Sequence, residues 1–585
     1  MKGAPCSDRF DDFYFSRKDG LAETRHVFLG GNGLPDAWAG KNSFSIFETG
    51  FGTGLNFFAV WDLFEKTAEA YQTLDFVSVE KYPLSIIEIK EALEPWSDLL
   101  KDKIDTLCDL YPIHVRGVHR VKISQQITLT LILDDINEVI PTIEGQYDCW
   151  FLDGFTPAKN PDMWSETLFQ NMARLSNTNA TFATFTVAGD VRRGLQGAGF
   201  NVKKQKGFEY KPDMLVGIYE GKRDKVANGL RAGSSVAVIG GGLSGTACAY
   251  VLKQYGYEPV IYEASDSLAS GASGNDCGFY NPRFTALWDG VAQFFAPAYA
   301  QFISMAKHAG KEIDYNPCGA LHLVNTPEKE KRFSSMVENW NWGAGHAQII
   351  SDKQVCEVSG ISLDTKALYL KDAGSVNPKK LCHYYAKDIE VKYNTKITDF
   401  DALDEETVII CNAYHAKEFD FIDEDMTQSV RGQITKIKTN NALKDLKANI
   451  HYGGYISKNM DGVHATGATF QPWENTTDVN SKDHERNIDT LTKSLSFINK
   501  DDVEITEGWA GLRTATKDRF PVVGKIPSKE NMFVSLAFGS HGLVGALQSA
   551  HILVDLLRGK PYCLQFETKK ALEFQRFENR KIKKR

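Results

Sequence analysis

The sequence predicts an α/β protein: two nucleotide-binding, Rossmann-like domains, the second carrying an inserted α+β substrate domain. Three observations predict it. A strand–turn–helix–strand unit with glycines at G-x-G-x-x-G spacing lies near the middle of the chain, from Val236 to Ala264. A second glycine-rich turn, with Gly50, Gly52 and Gly54, follows a short apolar run near the N-terminus. Around both, strand-like runs alternate with helical stretches, the pattern of doubly wound parallel sheets that bind ligands at the carboxyl ends of their strands.

The 585 residues are 42% apolar and 24% charged, an ordinary globular composition with room for several domains. There is no apolar run of about 18 residues, so no helical membrane span is expected. The opening stretch, MKGAPCSDRFDDFYFS, lacks the apolar core of a secretory signal. Ten cysteines are scattered without a C-x-x-C pair or a Cys/His cluster at zinc-ligand spacing. They read as core thiols of a cytoplasmic protein, and no metal is expected. A net charge of −8 gives no global attraction to nucleic acid, so a polyanion would need a local basic surface. Arg576 to Arg585, with six basic side chains and one acid, is either such a surface or a solvated tail.

From the N-terminus, residues 43–47 read as a strand leading into Glu48-Thr-Gly-Phe-Gly-Thr-Gly-Leu-Asn56. This loop lacks the Lys-Ser/Thr ending that grips phosphate, which suits a ligand without phosphate. The next strand, 76–79, ends in Glu80, an acid placed to take a ribose diol. Residues 129–133 lead into Asp134 and Asp135, and 147–152 lead into Asp153-Gly-Phe-Thr-Pro157. Further strands fit at 181–187, 200–204 and 215–219. The order resembles the class I S-adenosylmethionine-dependent methyltransferases, with a glycine loop after strand one and acids after strands two and three. That resemblance implies S-adenosyl-L-methionine as co-substrate, with Glu48, Gly50, Gly52 and Gly54 around it, Glu80 on its ribose and Asp135 near its adenine. Asp153 is the acid assigned to chemistry. An activated methyl needs an aligned nucleophile whose proton is managed, and a carboxylate at a strand end can orient and deprotonate an amine while Phe155 packs beside it. The alternative is that Asp153 merely caps the turn before Pro157.

Residues 223–233 mix charge with glycine and read as a linker between a first domain, 1–222, and a second, 234–585. In the second, 236–239 form a buried strand. Gly240 permits the tight turn, Gly242 the approach of a pyrophosphate, and Gly245 close helix–strand packing. The strand 259–262 ends in Glu263, an acceptor for an unphosphorylated ribose, which points to FAD or NAD rather than NADP. Ser270-Gly-Ala-Ser-Gly-Asn275 either runs along the pyrophosphate, through Ser273, or is a plain turn. From about 290 to 500 lies a substrate domain with strands at 320–324, 429–435 and 455–457, while 407–411 rejoins the nucleotide sheet. A strand at 532–538 then meets Gly539-Ser-His-Gly-Leu543, whose Gly539, Gly542 and Leu543 aim a second helix N-terminus at the cofactor. Arg513 lies before it, able to hold a carboxylate by two parallel hydrogen bonds, or else engaged in a structural salt bridge.

Along nearly its whole length the chain resembles one family, the bacterial bifunctional tRNA 5-methylaminomethyl-2-thiouridine biosynthesis proteins. The segments that carry this are FDDFYFSRKDGLAETRHVFLGGN, FETGFGTGLNF, FLDGFTPAKNPDMW, VRRGLQGAGF, YKPDMLVGIYE, VAVIGGGLSGTACA, SGASGN, VRGQI, HATGA, GLRTATKDRFPVVG and GSHGL. The second half also resembles the D-amino-acid oxidase-like, or glycine oxidase-like, flavoenzymes. The chain departs from the family in a shorter segment before FDDFYFS, in Asp134 where glycine is common, and in His541 where arginine is expected. The resemblance implies FAD in the second domain, oxidation of the carboxymethylaminomethyl group of a tRNA wobble uridine, and methylation of the resulting amine by the first domain. It implies a monomer acting on tRNA without a membrane. No cysteine lies between Gly508 and Gly545, where some relatives attach their flavin, so FAD is expected without a covalent link. Two other readings share these motifs: an amine oxidase and N-methyltransferase acting on free glycine- or sarcosine-like amines, and a tRNA-binding protein with one or both sites inactive.

Overall fold

The computed structural model describes residues 5–209, 211–223, 229–472, 474–560 and 564–577. Its contacts divide the chain into two compact units, one built mainly from Arg116–Ala232 and the residues before Pro112, the other mainly from Gly233–Val554. Of the expected linker, 224–228 lie outside the described residues, as do 578–585 of the basic C-terminal stretch. Arg576 itself is no part of a free basic surface. It is 8% exposed, donates to the Leu572 and Phe520 carbonyls and pairs with Asp518. No described helix is long and apolar enough to cross a membrane.

The first unit is organised on one eight-stranded sheet. Its order is Gly117–Lys122, Ile127–Leu133, Thr73–Glu80, Ser43–Glu48, Tyr147–Phe151, Ser176–Thr184, Asp213–Tyr219, Phe200–Lys206. The five strands from Ile127–Leu133 to Ser176–Thr184 are parallel. The flanking strands are antiparallel, so the sheet is mixed rather than purely parallel. Strand residues alternate between two cores, as the pleat requires. Ile46 and Phe76 join Phe57 and Trp61 in one cluster, while Phe47 and Val77 join Trp150 and Leu168 in the other. Ser43–Glu48 lies between Thr73–Glu80 and Tyr147–Phe151, and at this reversal of strand order the carboxyl ends open a crevice.

The second unit holds two larger sheets. The nucleotide sheet runs Glu390–Lys392, Glu258–Tyr262, Ser235–Ile239, Thr407–Ile410, Met532–Leu536, Val522–Lys525, parallel except for the last strand. The other sheet has eight strands, including Ala320–Leu323, Asn449–His451 and the long antiparallel pair Thr427–Lys438 with Ile505–Thr516. The interval 290–500 therefore contributes to both sheets, since Glu390–Lys392 and Thr407–Ile410 return to the nucleotide sheet while Ile505–Thr516 belongs to the other.

Candidate functional site

In the first unit the crevice is a cavity of about 550 Å³ lined by Gly50, Gly52, Glu80, Asp135, Asp153 and Asn56, among others. Strand Ser43–Glu48 ends where Gly52, at φ 51°, turns the chain into helix Leu55–Thr67. A Cβ on Gly52 would lie 3.2 Å from the Tyr14 ring, and one on Gly54 would lie 2.9 Å from Phe51. Glu80 receives the Gly52 N–H at 2.9 Å and the Tyr82 N–H at 2.8 Å. The Lys81 N–H also bonds to this carboxylate, which still keeps lone-pair capacity for a ribose hydroxyl. Burial pushes Glu80 up, and those backbone N–H groups oppose the shift. Asp135 accepts from Lys81 and from the Asn137 N–H. Burial works against its ionised form, but Lys81, the Asn137 N–H and Arg116 together outweigh this and hold the carboxyl below the usual range. A phosphate-free cradle with a diol-accepting acid fits S-adenosylmethionine.

Asp153 stands on the cavity wall at the end of Tyr147–Phe151. Its Oδ1 accepts the Gly154 N–H at 2.8 Å and its Oδ2 accepts the Asn56 amide at 2.7 Å. Burial raises its pKa to about 6, against those two donors. Phe155 stacks with Phe10 at 4.7 Å and meets Tyr14 edge-on at 5.2 Å, giving the acid an aromatic surround. Glu48 and Gly54 are not brought to this wall. Glu48 is 1% exposed, and its oxygens accept from Asn56 at 2.9 Å and Ser78 at 2.7 Å. Burial keeps it well above the carboxylate range. Asn56 thus joins two acids through one NH₂, with its own oxygen held by the Thr24 hydroxyl at 2.8 Å. Sequence reasoning gave Asn56 no role. Its signal was position: the first turn of a helix points side chains back towards the strand end.

The second unit holds a cavity of about 1530 Å³ whose wall includes Gly240, Gly242, Glu263, Ser273, Arg513 and Gly539, together with Gly542 and Leu543. Gly240 has φ 110°, and a Cβ there would lie 2.9 Å from the Asn412 Cα. Gly245 is not on this wall. A Cβ on it would lie 1.9 Å from the Gly240 carbonyl, so this glycine serves helix–strand contact. Glu263 accepts the Gly241 N–H at 2.7 Å and the Ser265 N–H at 2.8 Å, and Ser273 accepts the Leu243 N–H at 3.0 Å. Asn412 Oδ1 and Thr514 Oγ1 are buried on this wall without a partner among the described residues. Unmet polar atoms beside a glycine cradle and an acceptor acid fit FAD.

Arg513 comes from the long strand Ile505–Thr516, opposite Val430, with its guanidinium against Gly432, where a Cβ would lie 2.5 Å from Nη2. It is half-buried, and among the described residues it has neither an ion pair nor a side-chain hydrogen bond. Burial lowers its pKa, and the nearby Tyr455 hydroxyl works the other way. A half-buried, unpaired guanidinium aimed at a cavity is set for a carboxylate. His541, in the turn before helix Gly542–Arg558, is held down to about 4 by burial, opposed by an Asn281 backbone group and reinforced by Arg283 and Arg513. It is neutral at pH 7 and adds no second positive charge.

Residues 235–556 match the family model of FAD-dependent oxidoreductases, and residues 99–220 that of S-adenosyl-L-methionine-dependent methyltransferases. A tRNA 5-methylaminomethyl-2-thiouridine biosynthesis bifunctional protein MnmC from Methylobacillus flagellatus is 33% identical over 629 residues, covering 99% of this chain and 95% of that protein. The protein of the same name from Chromobacterium violaceum is 34% identical over 647 residues, covering 98% and 96%. Among solved structures, L-proline dehydrogenase from P. horikoshii shares the fold at a TM-score of 0.52 and 17% identity, over 60% of this chain and 99% of that one.

Proposed function

The chain belongs to the family of bifunctional tRNA 5-methylaminomethyl-2-thiouridine biosynthesis proteins, MnmC, and on that premise we propose how its two sites divide the work. The second unit oxidises the carbon–nitrogen bond of the carboxymethyl group of 5-carboxymethylaminomethyl-(2-thio)uridine at the tRNA wobble position by two electrons, and water then cleaves it, releasing glyoxylate and leaving an aminomethyl group. The first unit then methylates that amine. FAD, when bound, accepts the electrons of carbon–nitrogen oxidation, and S-adenosylmethionine supplies an activated methyl group.

The residues of the chain bind, orient and move protons. Gly240, Gly242, Glu263, Ser273 and the turn at Gly539 to Leu543 hold the flavin nucleotide, with Gly245 behind them. Arg513 grips the carboxylate of the glycine unit and so fixes its carbon–nitrogen bond. The observation that carries this reading is that Arg513 lines the cavity with no ion-pair or side-chain hydrogen-bond partner among the described residues. In the first unit Gly50, Gly52, Glu80 and Asp135 hold the methyl donor, and Asp153 orients the aminomethyl nitrogen and takes its proton. At pH 7 an acid titrating near 6 is mostly ionised yet still basic enough for that transfer. Glu48 acts through Asn56 on Asp153 and not on the ligand. The same reading has the protein act as a cytoplasmic monomer that uses no metal.

The test is nucleoside mass spectrometry of tRNA from cells with and without this protein. Loss of the methylaminomethyl nucleoside, with its carboxymethylaminomethyl precursor accumulating, is expected. Unchanged wobble uridines would remove the reading.

A further inference from the structure

One side of the larger cavity gathers cations that have no carboxylate paired to them among the described residues. Lys329 and Arg332 lie three residues apart on helix Pro327–Asn339, both within reach of the Phe333 ring, at 5.9 and 5.2 Å, and both line the cavity. Arg283 lines it too, donating to the Arg519 carbonyl. The Arg519 guanidinium stands 5.7 Å over Phe470, a ring that is 54% exposed. None of these four cations has an ion-pair partner among the described residues.

The neighbouring acids are committed elsewhere. Glu330 pairs with Lys366 at 2.8 Å, Asp518 with Arg576 at 3.2 Å, and Asp289 caps helix Gly290–Ala309. Glu328 is held by the Thr326 hydroxyl and its own backbone N–H. Like charges three apart on a helix repel, so Lys329 and Arg332 destabilise the free protein slightly. The repulsion shows in the neighbours. Burial lowers Lys329, and Arg332 lowers it further; burial lowers Arg283, with Arg519 adding to it and Asp518 and Asp289 opposing it. The stacked rings of His322 and His451, 4.3 Å apart, are depressed by burial; His451 and then Lys329 and Arg332 add to this at His322, and Lys329 adds to it at His451, so both stay neutral at pH 7.

We propose that Arg283, Lys329, Arg332 and Arg519, with the exposed Phe470 ring, form a rim that holds the phosphates of the RNA strand whose modified base enters the oxidase cavity. The inference rests on the reading of tRNA as substrate and names part of its footprint. An RNA strand offers what the rim lacks: closely spaced negative charges for the cations and flat bases to stack on an aromatic beside an arginine. The chain is acidic overall, so this cluster is a local exception and not part of a general attraction to polyanions.

The test uses the full-length protein loaded with FAD. Two double variants, Lys329→Gln with Arg332→Gln and Arg519→Gln with Phe470→Ala, are compared with the wild type. Binding of tRNA carrying the carboxymethylaminomethyl group is measured from about 50 to about 300 mM salt, alongside oxidation of the free modified nucleoside. Removing two phosphate contacts from a single strand, as in Lys329→Gln with Arg332→Gln, should make the slope of log affinity against log salt shallower by about 1.4, and removing the one contact of Arg519 by about 0.7. At about 0.1 M salt the first corresponds to a roughly 10- to 30-fold loss of affinity and the second to about 5-fold, to which the lost Phe470 stacking adds. The flavin spectrum and nucleoside oxidation should be unchanged. Variants that keep the wild-type affinity and slope overturn the rim and leave the tRNA reading standing. Loss of nucleoside oxidation along with tRNA binding also overturns it, because the residues would then serve the cavity itself. Wild-type protein that does not bind tRNA overturns both the rim and the tRNA reading.

Discussion

Replacing Arg513 by methionine should abolish the oxidative step while leaving the fold intact. Among the described residues the guanidinium pairs with no carboxylate, and it rests against Gly432, so the substitution breaks no described ion pair and keeps most of the side-chain volume. What it removes is the pair of charge-assisted hydrogen bonds to the substrate carboxylate. Each such bond contributes about 1.5–3 kcal/mol, so two of them amount to about 3–5 kcal/mol once imperfect additivity is allowed for. That corresponds to a loss on the order of 10² to 10⁴ in kcat/KM. The assay is digestion of tRNA after reaction and weighing of its wobble nucleoside, together with a thermal unfolding curve. Arg513→Met should stall at the carboxymethylaminomethyl stage, still methylate a supplied aminomethyl-tRNA, and show no fall in Tm. Accumulation of the aminomethyl form would refute the role given to Arg513. A Tm lowered by several degrees would show instead that the arginine is a structural partner.

Gly432→Ala, which places a Cβ 2.5 Å from Nη2 of Arg513, should push the guanidinium aside and weaken oxidation about tenfold or more, chiefly through KM, with methylation untouched. Asp153→Asn should do the reverse, with oxidation proceeding and the aminomethyl form accumulating as methylation slows by about 10² to 10⁴; a normal methylation rate would refute the assignment. With Asp153 titrating near 6, methyl transfer by the wild type should fall about tenfold per pH unit below that value. Unfolding is not the cause to expect from this group. Its folded pKa is raised, so between about 6 and the ordinary aspartate value the folded state binds the extra proton and acid favours folding at this residue. Acid precipitation should release all the flavin, since burial pushes the Cys277 thiol on the cavity wall up to about 12, far from the thiolate a covalent link needs; a yellow pellet would contradict this.

Elements set by local chemistry were legible in the sequence. The strands ending at Glu48, Glu80, Ile239 and Tyr262, and the glycine turns behind two of them, are written in short apolar runs and fixed spacings. Elements set by distant pairing were not. Ser176–Thr184 opens on Ser-Asn-Thr-Asn, which reads as loop, and it ends at Thr184, three residues short of the Val187 its apolar content implied. Its extent follows its partners Tyr147–Phe151 and Asp213–Tyr219. Gly117–Lys122 interleaves histidine, arginine and lysine with its valines and escaped notice as an antiparallel edge. At the sites, Arg513 and Asp153 were readable as charged residues near strand ends. Glu48 read as a ligand contact because it ends the strand before the glycine loop. Its burial depends on Ser78, and its link to Asp153 on an amide that reaches across 97 residues of chain. The proposed cationic rim was invisible because its members lie on separate stretches: folding brings Arg283, Lys329 and Arg332 to one cavity and sets Arg519 beside Arg283.

Because the Asn56 amide serves two carboxyls at once, the acid proposed to meet the amine is adjustable from a residue off the cavity wall. A change at Glu48, by lengthening, shortening or neutralising its side chain, alters how firmly Asn56 donates to Asp153 and hence how readily Asp153 gives up or takes a proton. The contour of the cavity and its fit to the methyl donor stay as they were. Acidity and recognition are thereby separate traits, open to independent drift as such proteins diverge.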